Sequence, residues 1–268
     1  MLNWIHFILI LGATQGFFLS VLLFHKHRKA NANRYLSAMM FLYSVILVHL
    51  VLDEQDFYTS FPFVKYLIET LPFLIGPMHY LYARSLIRLK KFSFKILFLH
   101  ALPAIIYLLY RIYYVLTIDH ALKGLASNPD YIFYNWAINI QGLTYMIFTL
   151  GLIRRYTRSL KNMFAALDKV KLDWLRNITL LMTFLLLTFF LENFLFLLDI
   201  NFSHFFNLTS ALFAVSVYVL GYMGLSRSEV FSLPEISQPI EQLSEIESEN
   251  SSRGYQKSGL TDERAQKY

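Results

Sequence analysis

The sequence predicts an all-α protein, a polytopic membrane bundle of seven transmembrane helices with the N-terminus outside and the C-terminus cytoplasmic. Three observations predict it. The chain is 56% hydrophobic and only 16% charged, where a soluble domain carries roughly a quarter charged residues. Its apolar residues gather into seven runs, each near the 20 or so residues that a bilayer's hydrocarbon core requires. The segments between the runs are basic and acidic by turns.

The runs are 3–24, 35–52, 63–87, 96–118, 131–153, 177–198 and 204–224. The first is not expected to be a cleaved leader, because no positive residue precedes it and the basic cluster follows it. Orientation comes from the connections. Lys26, Arg28, Lys29 and Arg34 follow the first run, and Arg84, Arg88, Lys90, Lys91 and Lys95 surround the third connection. The fifth connection holds Arg154, Arg155, Arg158, Lys161, Lys169, Lys171 and Arg176. The intervening connections carry Asp53, Glu54 and Asp56, then Asp119 and Asp130, then Asp199. Basic loops stay on the cytoplasmic side, which fixes both termini.

Two further segments have their own character. In 160–174 the residues Leu160, Met163, Phe164, Leu167, Val170 and Trp174 recur at helical spacing between charges. This is either an amphipathic helix at the inner membrane face or an extension of the fifth or sixth span. The membrane domain is expected to end at residue 226. Residues 227–268 read as a flexible acidic linker or tail, with Glu229, Glu235, Glu241, Glu245, Glu247 and Glu249 among Ser and Pro.

The third run contains LPFLIGPMHYLYARSL, residues 71–86. Proline removes a helix hydrogen bond and crowds the preceding turn. Pro72 and Pro77, with Gly76 between them and His79 after them, form a candidate hinge; the alternative is a static kink. Depth gives a candidate ligand pocket. At about 1.5 Å per residue, Glu69 lies roughly 9 Å in from the outer end of its span. Arg111, Asn135, Asn139, Glu192, Asn193 and Asn207 fall at comparable depth on other spans. Ionisable groups inside a membrane usually face the bundle interior and mark function. A pocket opening outward with a Glu69–Arg111 pair in its wall is one reading. Interhelical hydrogen bonds and snorkelling side chains are the other.

Enzymatic chemistry is not expected. The chain has no cysteine, which excludes disulfides, thiolate metal sites and cysteine nucleophiles. His25 and His27 are the one close histidine pair and lie in a basic loop, so no metal site is assigned. No HExxH, GxSxG or glycine-rich phosphate motif occurs, and no cofactor is expected.

Several segments together resemble one family. ILGATQGFFLSVLLFHKHRKANANRYLSAMMFL, LPFLIGPMHYLYARSL with its Pro–x–x–x–Gly–Pro pattern, LHALPAIIYLL, GYMGLSRSEVF and YQKSGLTDERAQKY resemble, in order, the spans and linker of bacterial membrane-bound AraC-type transcription regulators. The resemblance implies a sensory seven-helix region in the bacterial inner membrane, taking an unidentified small ligand from the outer side or the membrane. It also implies a possible homodimer and DNA contact through a helix-turn-helix domain. The residues after Gly224 are too few and too acidic for that domain, so this chain is expected to be the sensory half. The alternative is a stand-alone integral membrane protein, a small-solute carrier or an accessory subunit. The matched pair of broken spans that inverted-repeat carriers show is not seen.

Overall fold

The structure, a computed structural model, describes residues 4–25, 31–88, 94–117, 129–163, 172–198 and 203–228. They form α1 (Trp4–His25), α2 (Asn31–Glu54), a 3₁₀ turn (Phe57–Thr59), α3 (Pro62–Glu69), α4 (Pro72–Arg88), α5 (Phe94–Thr117), α6 (Pro129–Met163), α7 (Asp173–Leu197) and α8 (Ser203–Ser228). No strand occurs among the described residues. In hydrocarbon there is no water for an exposed peptide group, and a helix satisfies its own.

By length and composition, five stretches among the described residues are long and apolar enough to cross a membrane. They are Trp4–His25, Ala32–Glu54, Lys95–Tyr113, Phe133–Arg158 and Asp173–Leu195; Thr209–Met223 is shorter and also apolar. The chain is a multi-pass membrane protein. Of the linker expected from residue 227, Arg227 and Ser228 continue α8; the rest of it and most of the expected helix 160–174 lie outside the described residues.

The pairs α1–α2, α4–α5, α6–α7 and α7–α8 run antiparallel. His6 near the start of α1 meets Glu54 at the end of α2, and Ser20 meets Ser37. Phe73 of α4 meets Tyr107 of α5, Trp136 of α6 meets Phe190 of α7, and Glu192 of α7 meets Thr209 of α8. The six helices α1, α2, α4, α6, α7 and α8 close a ring, in which α8 packs back on α1. Helix α5 stands outside it against α3 and α4, with ring and hydrogen-bond contacts to α6. Its apolar window is 17% buried, against 61% for α2, so α2 belongs to the core and α5 to the periphery. The core holds Leu36, Met39, Met40, Tyr43, Leu47, Ala83, Met146 and Leu175, with a smaller cluster of Phe73, Ala104, Tyr107 and Ile138. Phe7, Leu11, Phe18, Ile106, Phe133 and Ile147 are more than half exposed, which suits a surface in contact with lipid rather than water.

Small residues set the closest approach. Gly12 lies against Ala214 and Leu47, and Gly16 against Ser44, Val217 and Met40. Ser20 and Ser37 each donate a hydroxyl to the other's backbone carbonyl, at 2.9 and 2.8 Å. With lipid outside, close packing and such bonds hold membrane helices together.

The segment 63–87, expected as one kinked span, is two helices. Thr70 and Leu71 separate them. The N–H groups of Thr70, Leu71, Phe73 and Leu74 bond to Leu67, Ile68, Thr70 and Leu71, all three residues back. Pro72 has no N–H to continue an α-helical register, and proline is at home in a first turn. It therefore starts α4, while Pro77 lies inside that helix.

The antiparallel path sorts charge to two ends. Asp53, Glu54, Asp56, Glu69 and Glu192 lie toward one end with Lys65 and Arg111; Arg34, Arg84, Lys95, Arg154, Arg155, Arg158 and Arg176 lie toward the other. There, Asp173 is the one acidic residue among the described residues, 3.2 Å from Arg176.

A side chain at Gly16 would stand 3.4 Å from Val217 and 3.5 Å from the Met40 carbonyl, while at Gly151 nothing lies within 4 Å. Gly16→Ile is therefore expected to lower thermal stability in detergent by about 1–3 kcal/mol. Gly151→Ala is expected to lose none. Equal melting of both variants would contradict the packing described.

Candidate functional site

The break between α3 and α4 creates a polar corner at the acidic end. Normally the Glu69 carbonyl would accept from the N–H of Phe73, four residues on. That N–H bonds Thr70 instead. The Tyr134 hydroxyl of α6 takes its place, donating to the Glu69 carbonyl at 2.7 Å. The Leu67 carbonyl accepts from both the N–H and the hydroxyl of Thr70. The broken turn is thus re-satisfied by Thr70 and by a neighbouring helix.

The Glu69 side chain points to α5. Arg111 donates Nη2–H to its Oε2 at 3.5 Å, and both side chains are largely buried. The guanidinium also lies 4.5 Å from the centre of the Tyr66 ring, within cation–π range. Arg111 Nε is buried without a partner. Beside this group, Tyr107 stacks on Tyr134 at 4.8 Å and Phe73 lies 5.3 Å from Tyr107. One corner thus joins α3, α4, α5 and α6 through a charge pair, a carbonyl bond and three rings.

The remaining polar residues form two more groupings. On α6, Asn135 and Asn139 are buried, and Asn139 donates to the Asn135 carbonyl at 2.8 Å while its own Oδ1 has no partner. Between α7 and α8, the Thr209 hydroxyl donates to Glu192 Oε1 at 2.5 Å, and Oε2 is buried without a partner. Asn193 donates to the Phe189 carbonyl of its own helix. Asn207 belongs to α8, two residues before Thr209; its side chain lies outside the described residues.

Gly76, Pro77 and His79 of the expected hinge lie inward of the corner, while Pro72 stands at the break. Gly76 faces the Tyr145 ring, to which a Cβ would stand at 3.1 Å. His79 is fully buried, and its Nε2 lies 3.0 Å from the Thr179 hydroxyl of α7. That hydroxyl donates to the Leu175 carbonyl at 2.7 Å. Threonine has one hydrogen to give, so His79 must donate through Nε2–H. Its Nδ1 then carries a lone pair and has no partner. The network assigns this tautomer.

Sequence reading missed the groups that complete these contacts. Tyr66, Tyr134, Thr179 and Thr209 bear ordinary membrane side chains and nothing singles them out by type. Tyr66 and Glu69 are three apart, and Tyr107 and Arg111 four apart, so helical spacing alone places each pair on one face. A further cluster closes the acidic end outside the spans. Asp56 adopts a left-handed backbone with φ 53°, which Asp tolerates, and turns the chain into Phe57–Thr59. Tyr58 is buried there and bonds His49 at 3.0 Å. Burial, then the charges of Asp53 and Glu69, push the Tyr58 phenol above its usual value. Lys65 ties α3 back to Asp53.

No family model, curated protein or solved structure matches the chain.

Two pairs of substitutions test this geometry. Glu69→Arg and Arg111→Glu are each expected to destabilise the protein, and the double swap to recover part of the loss; a double variant no better than either single would remove the pair. At the second contact the effects should be unequal. His79→Leu leaves Thr179 bonded to Leu175, whereas Thr179→Val leaves the His79 donor unpaired in the core at a cost of about 1–3 kcal/mol. Thermal melting that shows Thr179→Val to be harmless would overturn the tautomer assignment.

Proposed function

We propose that the chain is the sensory, signal-transducing module of a membrane-bound AraC-type transcription regulator. In this reading it crosses a bacterial inner membrane seven times, with the acidic end outside and the basic end in the cytoplasm. The separation of charge between the two ends agrees with the rule that basic loops stay inside. DNA contact is assigned to a helix-turn-helix domain and to no residue of this chain.

The observation that carries the reading is the placement of α4. It starts at the broken turn and packs on α2, α5 and α6. It also reaches α7 through His79 and Thr179. A small ligand entering from the outer side or the membrane and binding at the Glu69–Arg111 corner would compete for bonds that tie α3 to α5 and α6. Displacing α3 at the break would tilt α4, and α4 would carry the change to α2, α7 and the cytoplasmic ends. The ligand shifts the population only by as much as it prefers one arrangement.

A small-solute carrier is the second reading. The unpaired buried oxygens of Asn139 and Glu192 are acceptors of the kind a solute path uses. Uptake of radiolabelled sugars and amino acids by proteoliposomes separates the two, and concentrative uptake would favour the carrier.

For the sensory reading, the chain is joined after Tyr268 to an AraC-type DNA-binding domain and a reporter is followed through changes of medium. The double variant Pro72→Leu and Pro77→Leu supplies the two backbone N–H groups that the prolines lack. It is expected to hold output at one level under conditions that move the parent. A double variant that responds as the parent does would show that the broken span does not transmit the signal.

A further inference from the structure

The basic end of the bundle is more than a collection of loop charges. Helix α6 has 35 residues, and at about 1.5 Å each it is roughly 52 Å long, well beyond the 30 Å or so of a hydrocarbon core. Its apolar stretch ends at Arg158 and the helix runs on to Met163. Arg154, Arg155 and Arg158 are exposed on this last part. Arg158 lies four residues from Arg154 and three from Arg155, so the three share one side of the helix. Among the described residues none of the three has an acidic partner, and Asp173 is taken by Arg176.

Helix α8 ends at Ser228 at this same end. The sequence that follows immediately, 229–249, holds six glutamates and no lysine or arginine. Glu241, Glu245 and Glu249 recur every four residues, while Leu233, Ile236, Ile240 and Leu243 are spaced by three and four. A segment tethered this close reaches its surface at millimolar effective concentration, so weak individual ion pairs suffice.

We infer that the acidic segment 229–249 docks on the basic side of α6 formed by Arg154, Arg155 and Arg158. Docking links the exit of α8 to the end of α6, two helices of the ring separated by α7. Any shift of α6 relative to α8 would then change whether the segment is held or released. The surface is a site of intramolecular recognition, and its occupant is defined by charge and tether length, whatever follows it.

The chain has no cysteine, which makes disulfide trapping clean. Thr157→Cys lies between the arginines and Ser244→Cys within the acidic segment; Thr59→Cys at the opposite end is the background partner. In the full chain, reconstituted in phosphatidylcholine vesicles, the 157–244 bond is expected to form well above the 59–244 background. Arg154→Gln, Arg155→Gln and Arg158→Gln together should lower its yield by about tenfold, as should high salt. Arg154→Glu and Arg158→Glu combined with Glu241→Lys and Glu245→Lys should restore it. That rescue separates docking from misfolding. A 157–244 yield at background in neutral vesicles would overturn the proposal. A yield that is high in neutral vesicles and abolished by added phosphatidylglycerol would overturn it for a native anionic membrane, where lipid headgroups would occupy the arginines.

Discussion

Everything in this protein follows from the absence of water around its backbone. A peptide group in hydrocarbon must find its partner inside the chain. Regular helices meet that requirement unaided, and most of the chain consists of them. Among the described residues, the place where the pattern fails in the middle of an apolar run is Thr70–Leu71, and the surrounding contacts are the means of repairing it. Three-residue bonds close the turn, Thr70 bonds Leu67 twice, and Tyr134 reaches from α6 to the Glu69 carbonyl. The polar corner is therefore a consequence of the break.

The same constraint explains where the protein is stiff and where it has room. Glycine and serine let α1 lie close to α2 and α8, with reciprocal serine bonds between backbones. On the opposite side α5 is held by α3, α4 and α6, largely through aromatic rings and the Arg111 contacts. Helix α4 sits between the two regions. It is anchored in the core by His79 and loosened at its start by Pro72.

Much of the fold was legible in the sequence because hydropathy records depth. The described parts of the seven apolar runs are helical except at the break in 63–87, five of the stretches are long and apolar enough to cross a membrane, and depth counted along them paired Glu69 with Arg111. Rotation about each helix axis was less legible. A helix that is apolar all round, as α1 and α8 nearly are, gives little sign of which side faces its neighbour. For that reason Glu192 meets Thr209, Asn139 meets Asn135 and Asn193 bonds its own helix, instead of joining the Glu69–Arg111 pair in its contacts. The proline pair was read as a kink. A proline's effect depends on whether a helix continues behind it, and three-residue bonding at 67–74 is a local choice that residue type does not dictate.

The account stands most directly on the path of the chain through the membrane. Single cysteines placed in the cysteine-free chain at Gln55, Ser127 and Asn201, and separately at Ala30, Ser93 and Ser159, can be labelled in intact cells with a membrane-impermeant maleimide. The account predicts that the first three react from outside and the second three only after the membrane is opened. Ser127 and Ser159 reacting from the same side would mean that α6 does not cross, and the ring, its two charged ends and the transmitting role proposed for α4 would fall with it.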